Sequence, residues 1–114
     1  MSFEFRLDSI DGVEHLTLKG RLDGATYLAL EKTINQLFTA TGERVLMDFS
    51  DLVYISSAGL RLILVAAKRA RQSEGRLILC GMSPMVREVF DISGFLKIME
   101  TADHRADAVR ALQA

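Results

Sequence analysis

The way hydrophobic period changes along this chain predicts an α/β domain: a mixed, mostly parallel sheet of four to five strands with about four helices. Two segments at the N-terminus alternate with period two. Two short continuous apolar runs, Val45-Leu46-Met47 and Leu77-Ile78-Leu79-Cys80, stand further on. Segments of helical period separate and follow these runs, and helical crossovers between buried strands imply parallel pairs. With 114 residues, 49% hydrophobic and 25% charged, the chain has material for one core and little room for two. No linker, repeat or low-complexity tract interrupts it, so residues 1–114 are taken as one domain.

Phe3, Phe5 and Leu7 alternate with Glu4, Arg6 and Asp8, the pattern of a strand with one wet face. Leu16 and Leu18 alternate with His15, Thr17 and Lys19 in a second strand. Asp11-Gly12 between them suits a two-residue hairpin turn, because glycine tolerates positive φ, so the two strands should be antiparallel neighbours. After Gly20 the period lengthens. Tyr27, Leu30, Ile34, Leu37 and Phe38 recur at helical spacing, with Asp23 placed to cap the helix and Thr41-Gly42 to end it.

The runs at 45–47 and 77–80 suit central strands buried on both faces. Between them a helix is expected from Leu60 to about Ser73, with Leu60, Ile63, Leu64, Ala67 and Ala70 on one stripe. Leu62, Val65 and Ala66 are apolar positions beyond that stripe. Ser83-Pro84 opens another helix, N-cap then proline, with Val86, Val89 and Phe90 facing inward. Phe95 to Met99 reads as a short last strand, and Asp103 as the cap of a final helix carrying Val109 and Leu112.

Composition narrows the function. Net charge is −1 and no segment concentrates Lys or Arg, which argues against direct nucleic-acid binding. The longest apolar run, Leu62 to Ala67, is far short of the ~20 residues that cross a bilayer. The N-terminus lacks the basic and apolar regions of a signal peptide, so a cytoplasmic protein is expected. Cys80 is the sole cysteine, and neither His15 nor His104 has metal-ligand spacing, so no metal or other cofactor is expected. Both histidines are read as solvated. Gly75, Gly81 and Gly94 form no phosphate cradle, and Asp23, Asp48 and Asp51 read as caps and turn residues. Ser57 is no nucleophile elbow, because position 55 is Ile, and no histidine is aimed at it. A hydrolase is the reading these residues argue against.

Ser56-Ser57-Ala58-Gly59 follows a strand and enters a helix. Serine suits a helix start, where its oxygen accepts an unpaired backbone N–H, and Ala58 and Gly59 let a partner approach closely. The whole stretch Asp48-Phe49-Ser50-Asp51-Leu52-Val53-Tyr54-Ile55-Ser56-Ser57-Ala58-Gly59-Leu60 resembles the signature segment of the STAS family, the sulfate-transporter and anti-sigma-antagonist domain. Gly20-Arg21-Leu22-Asp23-Gly24-Ala25-Thr26 is similar to that family's second block, and strand order fits across essentially the whole chain.

The resemblance implies an anti-sigma factor antagonist, not an enzyme, working in a partner switch. An anti-sigma factor with a GHKL-type ATPase fold would bind the unmodified protein, phosphorylate it as a serine kinase and so end the complex. A PP2C-type phosphatase would restore it. The usual signature reads Asp-Ser-Ser or Asp-Ser-Thr, then Gly, with phosphate on the first serine. Aligned on Gly59, the acceptor is Ser57, with Ser56 the second choice. Ser56 stands in place of the Asp, and Ala58 in place of the next hydroxyl residue. The expected partner face comprises Asp23, Gly24, Ser56, Ser57, Ala58, Gly59, Arg61 and Leu62, the last suggested by the apolar surplus of Leu62, Val65 and Ala66. The alternative is a STAS scaffold subunit of a transporter or signalling complex that is not phosphorylated.

Overall fold

The computed structural model describes residues 2–114. Five strands lie in the spatial order β1 (Phe3–Ile10), β2 (Val13–Leu22), β3 (Arg44–Ile55), β4 (Arg76–Cys80) and β5 (Glu100–Ala102). The helices are α1 (Tyr27–Ile34), α2 (Ser57–Gln72), α3 (Pro84–Ile92) and α4 (Arg105–Gln113), with a 3-10 turn over Phe95–Lys97. The first strand pair is antiparallel and the other three are parallel, as the apolar runs and crossover helices require. Positive φ at Asp11 (51°) and Gly12 (80°) gives the expected tight hairpin.

β3 and β4 are buried on both faces. Val45, Met47 and Leu79 face a large core closed by α1, α2 and α3, with Phe49 packed edge-on against Phe90 of α3. Leu46, Ile78 and Cys80 face the other way, onto Ala108 and Leu112 of α4. Burial pushes the Cys80 thiol up to about 12, so it stays protonated and unreactive.

Several boundaries differ from expectation, each for a local reason. Helix α1 ends at Ile34 instead of running to Phe38. The Arg69 side chain of α2 donates to the carbonyls of Asn35 and Leu37, and Phe38 turns back into the core at φ 59°. Asp23 caps a turn, not the helix: its carboxylate accepts from the amides of Ala25 and Thr26, and α1 starts after Thr26. The last strand lies at 100–102, not 95–99. Phe95, Leu96 and Met99 have the i, i+1, i+4 spacing of one helical face and pack as such on the core. His104, not Asp103, is the N-cap of α4, with no side-chain cap bond.

His15 is buried, against the expectation of a solvated ring. It is only 4% exposed, because α4 covers the β2 face that carries it. Arg105, the first residue of α4, replaces the missing cap by gripping the sheet. Its guanidinium donates to Asp48 Oδ2 (2.9 Å), Thr17 Oγ1 (2.7 Å) and His15 Nδ1 (3.1 Å). Arginine is always a donor, so this last bond needs an unprotonated Nδ1. Asp48 is likewise more than a turn residue: it is 8% exposed and also accepts from the Ser50 amide and hydroxyl. Burial opposes its charge, but the Ser50 bonds and Arg105 outweigh burial and hold the carboxyl below its usual range.

Burial and then the Arg105 charge push the His15 pKa below the ordinary 6.5, against the opposing pull of Asp8, Glu14 and Asp11. Below that value the unfolded chain takes up a proton that the native state refuses, so stability present above it is lost as pH falls. The urea midpoint should therefore be lower at about pH 5.5 than at about pH 7.5, and His15→Gln should shrink that difference.

Candidate functional site

β4 pairs only with the first part of β3, Arg44–Asp48, whereas β2 follows β3 to its end, with Leu22 opposite Ile55. The chain leaves β3 there and starts α2 against the end of β2. Ser56 has extended backbone (φ −92°, ψ 176°) and is the N-cap. Its amide donates to the Leu22 carbonyl at 2.9 Å, its carbonyl accepts from the Leu60 amide at 2.8 Å, and its Oγ accepts from the Gly59 amide at 3.3 Å. Gly59 is required by space. A Cβ there would sit 2.8 Å from Leu22 Cγ and 2.9 Å from the Leu22 carbonyl oxygen.

Ser57 is then the first residue of a sixteen-residue helix, with its side chain exposed. Its amide belongs to the first turn, where a helix leaves N–H groups without intrahelical acceptors and its dipole is positive. On one side of this turn, Ala58, Arg61, Leu62 and Val65 join Tyr27 and Glu31 to line a shallow groove of about 140 Å³ between α1 and α2. On the other side Leu22 leads straight into the Asp23-Gly24 turn. The Ala25 amide bond above all, helped by Thr26 and Arg21, holds the Asp23 carboxyl below its ordinary range. Arg21 stacks over the Tyr54 ring, 4.2 Å from its centroid.

Asp23, Gly24, Ser56, Ser57, Ala58, Gly59 and Arg61 thus gather around one helix start. Leu62 does not belong to the exposed face: it is 5% exposed, and Ala66 is fully buried. The apolar surplus on α2 has a structural cause, since α1 packs beside it and gives it a second buried flank. Only Val65, 37% exposed, remains outside. Leu28, 62% exposed on α1, escaped the sequence reading. Its signal was an apolar residue outside the Tyr27, Leu30, Ile34 stripe. No group of His, Cys, Asp or Glu among the described residues could hold a metal. Both histidines lie at α4, where His15 meets Arg105 on the sheet face opposite α2.

The fold that carries this helix start has counterparts among known proteins. The STAS domain profile matches residues 4–108. The chain belongs to the STAS family. A relative in Bordetella bronchiseptica, named "Putative anti-sigma factor antagonist BtrV", is 43% identical over 107 residues, 94% of this chain and 92% of its own. The crystal structure of an anti-sigma factor antagonist from Mycobacterium paratuberculosis superimposes with a TM-score of 0.89 at 21% identity, covering 99% of this chain and 96% of that one. The Bacillus cell fate determinant SpoIIAA in its phosphorylated form does so with a TM-score of 0.72 at 25% identity, covering 95% and 98%. Antagonists of the STAS family are non-enzymatic regulators.

The departure from the STAS signature at position 56 has a physical reading. Asp and Ser are equally good N-caps, and Ser56 performs that task. Ser56 is structural and Ser57 is not, which thermodynamics separates. Ser56→Ala should cost about 0.5–2 kcal/mol of stability in urea unfolding, and Ser57→Ala no more than about 0.5 kcal/mol. Gly59→Ala, which must push Leu22 aside, should cost about 1–3 kcal/mol.

Proposed function

We propose that this STAS domain is an anti-sigma factor antagonist whose binding is switched off by phosphorylation of Ser57. Its partner is an anti-sigma factor serine kinase with a GHKL-type ATPase fold, and a PP2C-type phosphatase reverses the modification. The contact face is the first turn of α2 with Ser57, Ala58 and Arg61, flanked by the Asp23-Gly24 turn. The observation that carries the reading is the division between the two serines. Ser56 Oγ caps the helix from a half-buried position, while Ser57 is exposed one residue on, where a kinase can reach it. The structure of SpoIIAA in a phosphorylated form supports the general chemistry in a relative of the same fold.

Among the described residues no helix is long and apolar enough to cross a membrane. The proposal places the protein in the cytoplasm, where the kinase finds ATP.

A phosphate adds about −1.5 to −2 charges at neutral pH. At the first helical position it faces unpaired N–H groups, and Arg61, exposed one turn on, can swing toward it. Intact mass after incubation with the kinase and ATP should show one phosphate, retained in Ser56→Ala and absent from Ser57→Ala. Ser57→Asp should keep a native-like melting temperature and lose the kinase, while Ser57→Ala keeps both. Binding without phosphate transfer would instead make the protein a scaffold subunit. A Ser57→Asp variant that binds as tightly as wild type would remove the switch.

A further inference from the structure

The two margins of the sheet are unequal. β5 is three residues long, whereas β1 runs for eight residues, without proline and without a break in its register with β2. A long open edge is a template for another strand. Leu7 and Ile10 on it are 41% and 46% exposed.

Backbone geometry restricts what can add there. The two-residue turn at Asp11-Gly12 makes Ile10 and Val13 a mutually hydrogen-bonded pair. Counting back by twos, Asp8, Arg6 and Glu4 also direct their N–H and C=O groups to β2. Ser9, Leu7, Phe5 and Phe3 direct theirs outward. A second copy can therefore add antiparallel only with odd-numbered residues opposite odd-numbered ones.

Charge then selects among the two-fold registers. Centring on Arg6 or on Asp8 sets that charge against its own copy, which is unfavourable. Centring on Phe5 opposes Glu4 with Arg6 but pairs only positions 3–7 of the strand. Centring on Leu7 pairs positions 4–10, opposes Arg6 with Asp8 twice, and sets the exposed Leu7 against its copy. Arg6 already lies 2.8 Å from Asp8 of its own strand, so each guanidinium in the pair has two carboxylates on one face.

We propose that two copies of this chain associate through β1, antiparallel and two-fold about Leu7, joining two five-stranded sheets into one of ten. Leu7 pairs with Leu16, and Leu16 with Met47, so the two-fold sits about 25 Å along the strands from Ile55 and α2. The pair leaves Ser57 open on both copies, and the inference stands or falls independently of the switch. A seven-residue ladder buries less than a standard interface, so the association is weak.

Sedimentation equilibrium of the full chain from about 10 µM to about 1 mM tests this. The expected result is a dimer that dissociates on dilution. Arg6→Asp should weaken it by about tenfold, and Arg6→Asp combined with Asp8→Arg should restore it to within about threefold. Both side chains are exposed (75% and 41%), and far-UV circular dichroism checks that the variants remain folded. A chain monomeric throughout the range overturns the proposal, as does an Arg6→Asp variant that associates as before. A double variant that fails to recover overturns the register: centred on Phe5, Glu4 would then face a second carboxylate.

Discussion

The Ser56 amide reaches the Leu22 carbonyl at 2.9 Å because position 59 carries no Cβ to hold the two segments apart. Much at that end of the molecule follows from this approach. Ser56 is an N-cap in extended backbone, so its amide would be exposed or unpaired were β2 more distant; instead the end of β2 supplies the acceptor. With the amide and the carbonyl of Ser56 both engaged, its side chain has one orientation that reaches Gly59. Ser57 must then point outward. The same Leu22 that receives α2 also launches the Asp23-Gly24 turn, so one contact holds both halves of the candidate face in register.

The opposite sheet face is held in another way. Helix α4 fully buries only Ala108 and Leu112, little apolar area for a nine-residue helix. Its attachment is directional: Arg105 spans β2 and β3 by bonding His15, Thr17 and Asp48. Each polar group in that cluster has a partner, and no buried side-chain N or O among the described residues lacks one. Such a network orients the helix more than it stabilises it, because removing the charges from water offsets much of their attraction. One face thus derives its strength from apolar packing and the other its geometry from an arginine.

What the sequence disclosed and what it concealed follow the range of the interactions concerned. The hairpin at Asp11-Gly12, the central strands and the Ser83-Pro84 start are set by neighbours within a few residues, and periodicity exposes them. The Ser56-Ser57 element was legible because helix capping is local. The end of α1 was not, since Arg69 stops it from more than thirty residues away. His15 sits in a strand with an alternating pattern, and nothing nearby in the chain says that α4 will cover its polar face. Leu62 and Ala66 were misplaced for a related reason. A helical wheel counts apolar positions, but only tertiary packing tells whether one neighbour or two will cover them.

Magnitudes decide how a charge at Ser57 would act. At the start of a sixteen-residue helix the dipole and free N–H groups favour an anion by about 0.3–1 kcal/mol when exposed. Helix α2 is meanwhile held along its length by the core, and near its C-terminal end by Arg69 reaching the carbonyls after α1. The folded state therefore has no reason to reject a phosphate. A partner docked on that turn would. To cover the groove beside Ser57, bordered by Ala58 and Val65, it would have to exclude water from that turn. Stripping water from an ion costs several kcal/mol even after local relaxation. That exceeds the gain from the helix start severalfold. A phosphate there would leave the fold intact and act on whatever pressed against it, which is what a reversible switch on a surface helix would require.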